Sequence, residues 1–195
     1  RQTAFTVAVV VLSAKMAKAD GQVTRDEVDA FKRIFDIPEN EMRDVGRLFN
    51  EDRQDAEGYG PYANQIGDLF GHDKAVRESL LGGLFQIALA DGVVHPNEEK
   101  FLQNVARAFG LDAHDFDRIQ SAHMGTESAD PYQILGVTRD TTDEDIKKSY
   151  RNLSRENHPD TLIAKGMPQE FIDVANEKMA SINAAYDQVS KERSL

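Results

Sequence analysis

Residues 143–160 read DEDIKKSYRNLSRENHPD, and the spacing of the apolar positions in this stretch predicts an amphipathic helix. At about 100° per residue, the apolar and the basic side chains fall on different faces of that helix. The apolar face carries Ile146, Tyr150 and Leu153, and the basic face carries Lys147, Lys148, Arg151 and Arg155. We therefore expect the first face to pack on a neighbouring helix and the second to remain in solvent.

The end of this helix is also encoded locally. We expect it near Asn157, because the residue before a proline is disfavoured in the α region. The next three residues are His158, Pro159 and Asp160, and they are predicted to form a loop directly after the basic end of the helix. This loop would present an imidazole and a carboxylate to solvent beside positive charge.

The flanking sequence carries two further motifs, DPYQILGV before the helix and INAAYDQV after it. Together with IKKSYRNLSRENHPD, these motifs resemble a J domain of the DnaJ family over about residues 130–193. The segment LIAKGMP and the attached N-terminal half look like the DjlA subgroup of that family. The resemblance implies a small helical hairpin, in which two antiparallel helices hold the His-Pro-Asp tripeptide at their shared end.

The third helix of this J domain is predicted from Gln169 to about Lys191, after a connector over residues 161–168. Its apolar positions form a single stripe, which we expect to supply its buried side. The stripe consists of Phe171, Val174, Ala175, Ile182, Tyr186 and Val189.

The resemblance also implies a function, that of a co-chaperone which binds a DnaK-type chaperone and stimulates its ATP hydrolysis. Charge complementarity would orient such an encounter, and the tripeptide would make the contacts that distinguish one chaperone state from another. The implied chaperone-binding residues are Lys147, Lys148, Arg151, Arg155, His158, Pro159 and Asp160. The sequence contains no P-loop or nucleophile motif, so we expect no catalytic site in the chain itself.

A second motif occurs twice in the N-terminal half. Residues 17–27 read AKADGQVTRDE, and residues 88–98 read ALADGVVHPNE. The repeat predicts an internal duplication of helical hairpins, with a short third helix in each half at residues 38–49 and 112–123. The pattern resembles the TerB-like fold over about residues 3–124.

The fold class expected for the whole chain is therefore all-α. We expect a duplicated TerB-like helical bundle over residues 1–125, a linker over residues 126–129 and a small J-domain helical hairpin over residues 130–195. Within the bundle, residues 3–18 predict a helix with one apolar side. The pair Gly82-Gly83 is expected to let another backbone approach closely, because glycine has no side chain.

Four acidic residues of the repeated motif have two interpretations, which the sequence leaves open. They are Asp20, Glu27, Asp91 and Glu98. As convergent oxygen ligands they would suit calcium or magnesium, although the residues at the first and third loop positions exclude an EF-hand. As helix caps, Glu27 and Glu98 would reach back to Thr24 and His95 in capping boxes, which are much commoner than new ion sites. The co-chaperone role requires no cofactor in either case.

The amino-acid composition limits the classes of binding partner and the cellular compartment that we expect for this protein. The net charge is −11 and cysteine is absent, which disfavours nucleic-acid binding and excludes disulfides and cysteine zinc sites. We expect a cytoplasmic protein. The longest apolar run, from Ala4 to Leu12, is too short to span a bilayer. Any membrane association would therefore come from an anchor upstream of Arg1, as in some DjlA-type proteins.

A competing hypothesis assigns the main function to the N-terminal domain, as an interaction module or divalent-ion sensor in stress response. A client or targeting protein would then bind that domain, and the J domain would only recruit the chaperone. Deletion of residues 1–125 separates the two hypotheses if the remaining J domain keeps its ATPase stimulation.

Overall fold

The computed structural model describes residues 2–19, 24–35, 43, 58–123, 129–167 and 169–195. All regular elements in these ranges are helices, which confirms the all-α prediction. The N-terminal part contains α1 (Gln2–Ala19), α2 (Arg25–Phe35), α3 (Gly60–Leu69), α4 (Lys74–Ala88), α5 (Pro96–Ala108) and α6 (Ala113–His123). The C-terminal part contains α7 (Pro131–Ile134), α8 (Asp143–Asn157), α9 (Pro159–Ala164) and α10 (Ile172–Arg193).

Three of the sequence predictions fall wholly or mostly on residues that the structure does not describe. They are the helix at residues 38–49, of which only residue 43 is described, most of the linker at residues 126–129, and the candidate metal ligand Asp20. The counterpart of the helix at 38–49, predicted at residues 112–123, is present as α6. The division into two domains at the linker stays a prediction.

Helix α1 lies at the centre of the N-terminal part. Every side chain from Val9 to Ala17 is buried, including those of Ser13 and Lys15. The sequence predicted burial on one side only, but α1 contacts α3, α4 and α5. A helix that packs against neighbours in several directions is buried around its circumference. In the parts of the chain that the structure describes, no helix combines the length and the apolar character needed to cross a membrane.

The C-terminal part is built on a pair of antiparallel helices, as predicted. Arg193 at the end of α10 forms an ion pair with Asp143 at the start of α8, at 3.0 Å. The ring of Tyr150 stacks on that of Tyr186, with centroids 3.9 Å apart and an interplanar angle of 6°. Ile146 is buried in the same apolar cluster. The apolar face of α8 therefore packs as its spacing predicts.

The C-terminal part also contributes to the core of the N-terminal part. Five of its apolar side chains are at most 3% exposed and lie in one cluster with side chains of α1, α4 and α5. These anchor residues are Leu162, Met167, Phe171, Val174 and Ala175. Farther along α10, Ile182 and Val189 belong to the hairpin core instead. The single apolar stripe predicted for this helix is thus divided between two cores.

Two glycines of α4 leave space for neighbouring rings, Gly82 for a ring of the N-terminal part and Gly83 for a ring of the C-terminal part. A Cβ atom on Gly83 would lie 2.7 Å from Cε1 of Phe171, and one on Gly82 would lie 2.6 Å from Nε2 of His123. Both distances are far below van der Waals contact. The predicted close approach occurs at these two glycines. The groups that approach are side-chain rings, however, and not the backbone that the sequence led us to expect.

Candidate functional site

Helix α8 positions the basic side chains, and its ends follow from local chemistry. Thr142 caps the helix, because its Oγ1 accepts a hydrogen bond from the N–H of Asp145 at 3.2 Å. The first turn is acidic and the last turn contains Arg155, an arrangement that suits the helix dipole at both ends. The hydroxyl of Ser149 donates to the carbonyl oxygen of Leu135 at 2.7 Å. This bond ties α8 to the segment that precedes it.

The four basic side chains of α8, called the cationic face, are all exposed. They are Lys147, Lys148, Arg151 and Arg155. Arg155 donates a hydrogen bond to Oδ1 of Asn152 at 3.1 Å. Within the described ranges, no carboxylate forms an ion pair with any of the four. Their positive charge is therefore available to another molecule.

His158, Pro159 and Asp160, called the HPD corner, join α8 to the short helix α9. His158 has an extended backbone, with φ −61° and ψ 132°, and it caps both helices. Its Nδ1 accepts a hydrogen bond from the N–H of Asp160 at 3.3 Å. The side chains of His158 and Asp160 are 56% and 89% exposed. The corner is therefore open to solvent at the end of α8 that carries Arg155.

Helix α9 corrects the connector predicted for residues 161–168. Proline is favoured at the first position of a helix, because the N–H that it lacks has no partner there. Pro159 therefore ends α8 and also begins α9. The N–H of Leu162 donates to the carbonyl oxygen of His158 at 3.0 Å. The tripeptide thus forms a corner held between two helices rather than a loop.

The two glutamates of the repeated motif, Glu27 and Glu98, act as helix caps. The N–H of Thr24 donates to Oε2 of Glu27 at 2.6 Å, and the N–H of Glu27 donates to Oγ1 of Thr24 at 3.2 Å. In the second copy, the N–H of His95 donates to Oε2 of Glu98 at 2.9 Å. These bonds confirm that both glutamates reach back to the helix start, as the capping interpretation predicted.

The metal interpretation of the same motif stays a prediction. Asp91 accepts a hydrogen bond from the N–H of Val93 at 3.1 Å and lies 3.3 Å from Nε2 of His95. Asp20 lies outside the described residues. The convergence of Asp20, Glu27, Asp91 and Glu98 on a calcium or magnesium ion therefore has no test in the described geometry.

A different cluster has the spacing of metal ligands, at Asp112, His114 and Asp115. Its carboxylates already cap α6, because the N–H of Asp115 donates to Asp112 at 2.8 Å and the N–H of Asp112 donates to Asp115 at 3.2 Å. Lys74 pairs with Asp115 at 2.7 Å. The hydrogen bond from the backbone of Asp115 holds the pKa of the Asp112 carboxyl below its usual value. Capping thus accounts for this cluster without an ion.

Nothing in the sequence predicts the buried charge cluster that joins the two parts of the chain. In this cluster, Glu78 pairs with Arg118 at 2.5 Å and with Lys178 at 3.0 Å. Burial raises the pKa of the Glu78 carboxyl, but the two cations outweigh burial and hold that pKa below its usual value. Burial lowers the pKa of Lys178, and the charge of Glu78 opposes this effect. Only the fold brings these three residues together.

His123 lies beside the buried charge cluster, at the end of α6. Its ring is stacked on that of Phe85, with centroids 6.1 Å apart. Burial lowers the pKa of His123 from 6.5 to about 4, and the positive charge of Lys178 acts in the same direction. The imidazole is therefore neutral at pH 7 in the folded chain.

We expect the free energy of unfolding to fall as the pH is lowered from 7 to 5. The unfolded histidine binds a proton below pH 6.5, whereas the folded one stays neutral until about pH 4, so protons favour the unfolded state. The shift in full would cost about 2 kcal/mol over this pH range. Because His123 keeps part of its surface accessible, we expect a smaller loss of about 1 kcal/mol. Urea unfolding at the two pH values measures this loss.

Two variants isolate the contribution of His123. His123→Gln removes the titrating group and should make the stability less dependent on pH. His114→Gln, at an exposed position on the same helix, should behave like the unmodified chain. If the stability of the unmodified chain and of both variants depended on pH in the same way, the pH dependence could not be assigned to His123.

Comparison with known proteins identifies relatives along the whole chain. Residues 6–121 match the family described as tellurite resistance protein TerB, and residues 130–194 match the DnaJ domain. A co-chaperone protein DjlA of Shewanella oneidensis is 32% identical, with 100% of this chain and 80% of the relative covered. Those of Coxiella burnetii and Photobacterium profundum are 31% and 30% identical, over 92% and 99% of this chain and 74% and 79% of the relatives. No solved structure matches the chain.

Proposed function

Because this chain belongs to the DjlA family of J-domain co-chaperones, we propose that it binds a DnaK-type chaperone and stimulates its ATP hydrolysis. The observation that supports this proposal is the HPD corner, which is exposed at the end of α8 beside the cationic face. Both groups lie in the J domain, residues 130–195. An approaching protein could therefore contact them together.

Stimulation of a partner's ATPase is an allosteric effect. A bound protein shifts the equilibrium between two chaperone states only by the difference between its affinities for them. We assign the cationic face to attraction and orientation, since complementary charges act mainly on the rate of association and on specificity. We assign the HPD corner to the short-range contacts that favour the hydrolysis-competent state, because the side chains of His158 and Asp160 are exposed and the backbone of the corner is held between two helices.

The chain itself is assigned no catalytic residue, since the chaperone binds and hydrolyses the ATP. The N-terminal part is assigned targeting or regulation. Deletion of residues 1–125 is a poor test of that role, because it would remove the N-terminal side chains from the cluster that contains the anchor residues and leave Lys178 without Glu78. Loss of activity in such a fragment could then reflect misfolding of the J domain. Substitutions at exposed positions give a cleaner result.

Reversing two charges of the cationic face, with Lys148→Glu and Arg151→Glu together, is expected to weaken binding to the chaperone. Both side chains are exposed, so the fold should be unaffected. We expect the co-chaperone concentration for half-maximal stimulation to rise about tenfold or more at low salt, because attraction becomes repulsion, and less at high salt. Single-turnover ATP hydrolysis by DnaK, measured against co-chaperone concentration, gives this value.

The matched control is Lys100→Glu with Arg107→Glu, which changes the net charge equally at exposed positions of α5. This control should stimulate like the unmodified chain. An equal loss in both double variants would mean that only net charge matters, and the cationic face would lose its role. Absence of stimulation by the unmodified chain would reject the proposed function itself.

A further inference from the structure

The segment that follows the HPD corner contacts the N-terminal part, because Leu162 of α9 lies in the core cluster of that part and Lys165 pairs with Asp73 at 3.2 Å. We propose that the N-terminal part holds the J domain in one orientation through the anchor residues, and that this docked arrangement is the state that engages the chaperone. The proposal rests on the proposed function, because it concerns how the same site is positioned.

The anchor residues provide the apolar part of the docking. Leu162 and Ala175 are fully buried, Phe171 and Val174 are 1% exposed, and Met167 is 3% exposed. All five lie in the core cluster of the N-terminal part rather than in that of the J-domain hairpin. Since the burial of apolar surface drives association, separation of the two parts would break the apolar contacts that join them in this cluster.

The surface that receives Phe171 is shaped for it. Gly83 leaves the space that the ring occupies, and a Cβ atom there would meet Cε1 of Phe171 at 2.7 Å. Such close packing is typical of protein interiors. The contact therefore resembles the interior of one folded unit more than the meeting of two mobile domains.

Polar contacts around the anchor residues fix the orientation. Lys178 of α10 pairs with Glu78 of α4 at 3.0 Å, with both side chains only 5% exposed. Lys165 pairs with Asp73 at 3.2 Å. A buried ion pair tolerates little displacement, because separated charges would stay desolvated. We therefore assign Lys178 as a positioning residue, which acts on the site through α10.

The anchor residues are connected to the HPD corner through α9. The backbone of Leu162 donates to that of His158 at 3.0 Å, and the backbone of Met167 donates to that of Leu162 at 3.0 Å. The side chains of His158 and Asp160 nevertheless remain 56% and 89% exposed. Docking thus constrains the backbone of the corner without covering its functional groups, as expected of a positioning contact rather than an inhibitory one.

A covalent cross-link tests whether the docked state is the working state. The chain has no cysteine, and the side chains of Gln86 in α4 and Glu177 in α10 are hydrogen-bonded across the contact. Gln86→Cys with Glu177→Cys should therefore react nearly completely with a short bis-maleimide. The linked protein should stimulate DnaK in single-turnover assays within about twofold of the unlinked double variant. The matched control is Gln188→Cys with Glu192→Cys, a pair in contact within α10.

Each outcome of the cross-link experiment decides the proposal. Poor cross-linking between positions 86 and 177, with efficient cross-linking between 188 and 192, would overturn it. So would a loss of stimulation of more than about twofold in the 86–177 product alone. Absence of stimulation before linkage would reject the proposed function and this proposal with it, while the yield of cross-linked protein would still report docking.

Hydrogen exchange gives a second test, of the link between anchor and corner. Phe171→Ala should raise amide exchange at residues 162–167 by about tenfold or more, lower the maximal stimulation and leave exchange in α1 unchanged. The 86–177 cross-link should restore the stimulation. Unchanged exchange at 162–167, or full stimulation without the Phe171 ring, would overturn the assignment of positioning.

Discussion

His158→Gln is expected to remove most of the stimulation of DnaK while leaving the co-chaperone folded. The imidazole is 56% exposed, and its main contact within the chain is the hydrogen bond that Nδ1 accepts from the N–H of Asp160. Glutamine has a side-chain oxygen that can accept the same bond. We therefore expect the free energy of unfolding to change by about 0.5 kcal/mol or less, as for other surface substitutions.

The loss of stimulation follows from the proposed role of the corner. If the ring contacts the chaperone more favourably in the hydrolysis-competent state, its removal lowers the differential affinity on which stimulation depends. We expect the maximal single-turnover rate to fall at least about tenfold, whereas the cationic-face variant should mainly shift the concentration dependence. His72→Gln, at an exposed position between α3 and α4, is the control and should be fully active. Equal maximal rates for His158→Gln and the unmodified chain would refute the mechanism.

Glu78→Ala is expected to have the largest effect on stability, because it leaves two buried cations without their counter-ion. The side chains of Arg118 and Lys178 are 9% and 5% exposed, so water cannot replace the carboxylate. Removing one partner of a buried ion pair typically lowers the free energy of unfolding by about 3–5 kcal/mol. Arg118 keeps Asp115 at 3.7 Å, so we expect a loss near the lower end, about 3 kcal/mol. Urea unfolding at pH 7 measures it.

A second substitution separates unpaired charge from lost packing. Adding Lys178→Met to Glu78→Ala removes one stranded cation and should recover at least about 1 kcal/mol. Asp117→Ala, at an exposed position of α6, should cost about 0.5 kcal/mol or less. A loss below about 1 kcal/mol for Glu78→Ala would mean that the cluster is hydrated, and the two parts of the chain would not be joined through it.

Several features of the site could be predicted because they depend on neighbours within one or two turns. Helical spacing placed Ile146 and Tyr150 on a different face from the cationic side chains, and the residue before Pro159 had to end α8. The capping interactions of Glu27 and Glu98 involve residues only three positions away. Such contacts form whichever way the rest of the chain packs.

Other features were beyond prediction because the contacting residues are distant in sequence. Glu78 is 40 positions from Arg118 and 100 from Lys178. From the sequence alone, each of the three would be expected to be a charged residue on the surface. The apolar stripe predicted along the third J-domain helix looked continuous, yet Val174 and Ile182 belong to different cores. Periodicity identifies the apolar side of a helix but not the partner that covers it.

The chemistry at the tip of the J domain is therefore a property of local sequence: a capped helix, a basic stripe and a proline that forces the corner. Its placement on the N-terminal part is a property of the tertiary structure alone. Local rules act through the backbone over one or two turns. The contact of Phe171 with Gly83 and the ion pair of Lys178 with Glu78 depend on long-range packing and desolvation. Both effects exist only once the chain has folded.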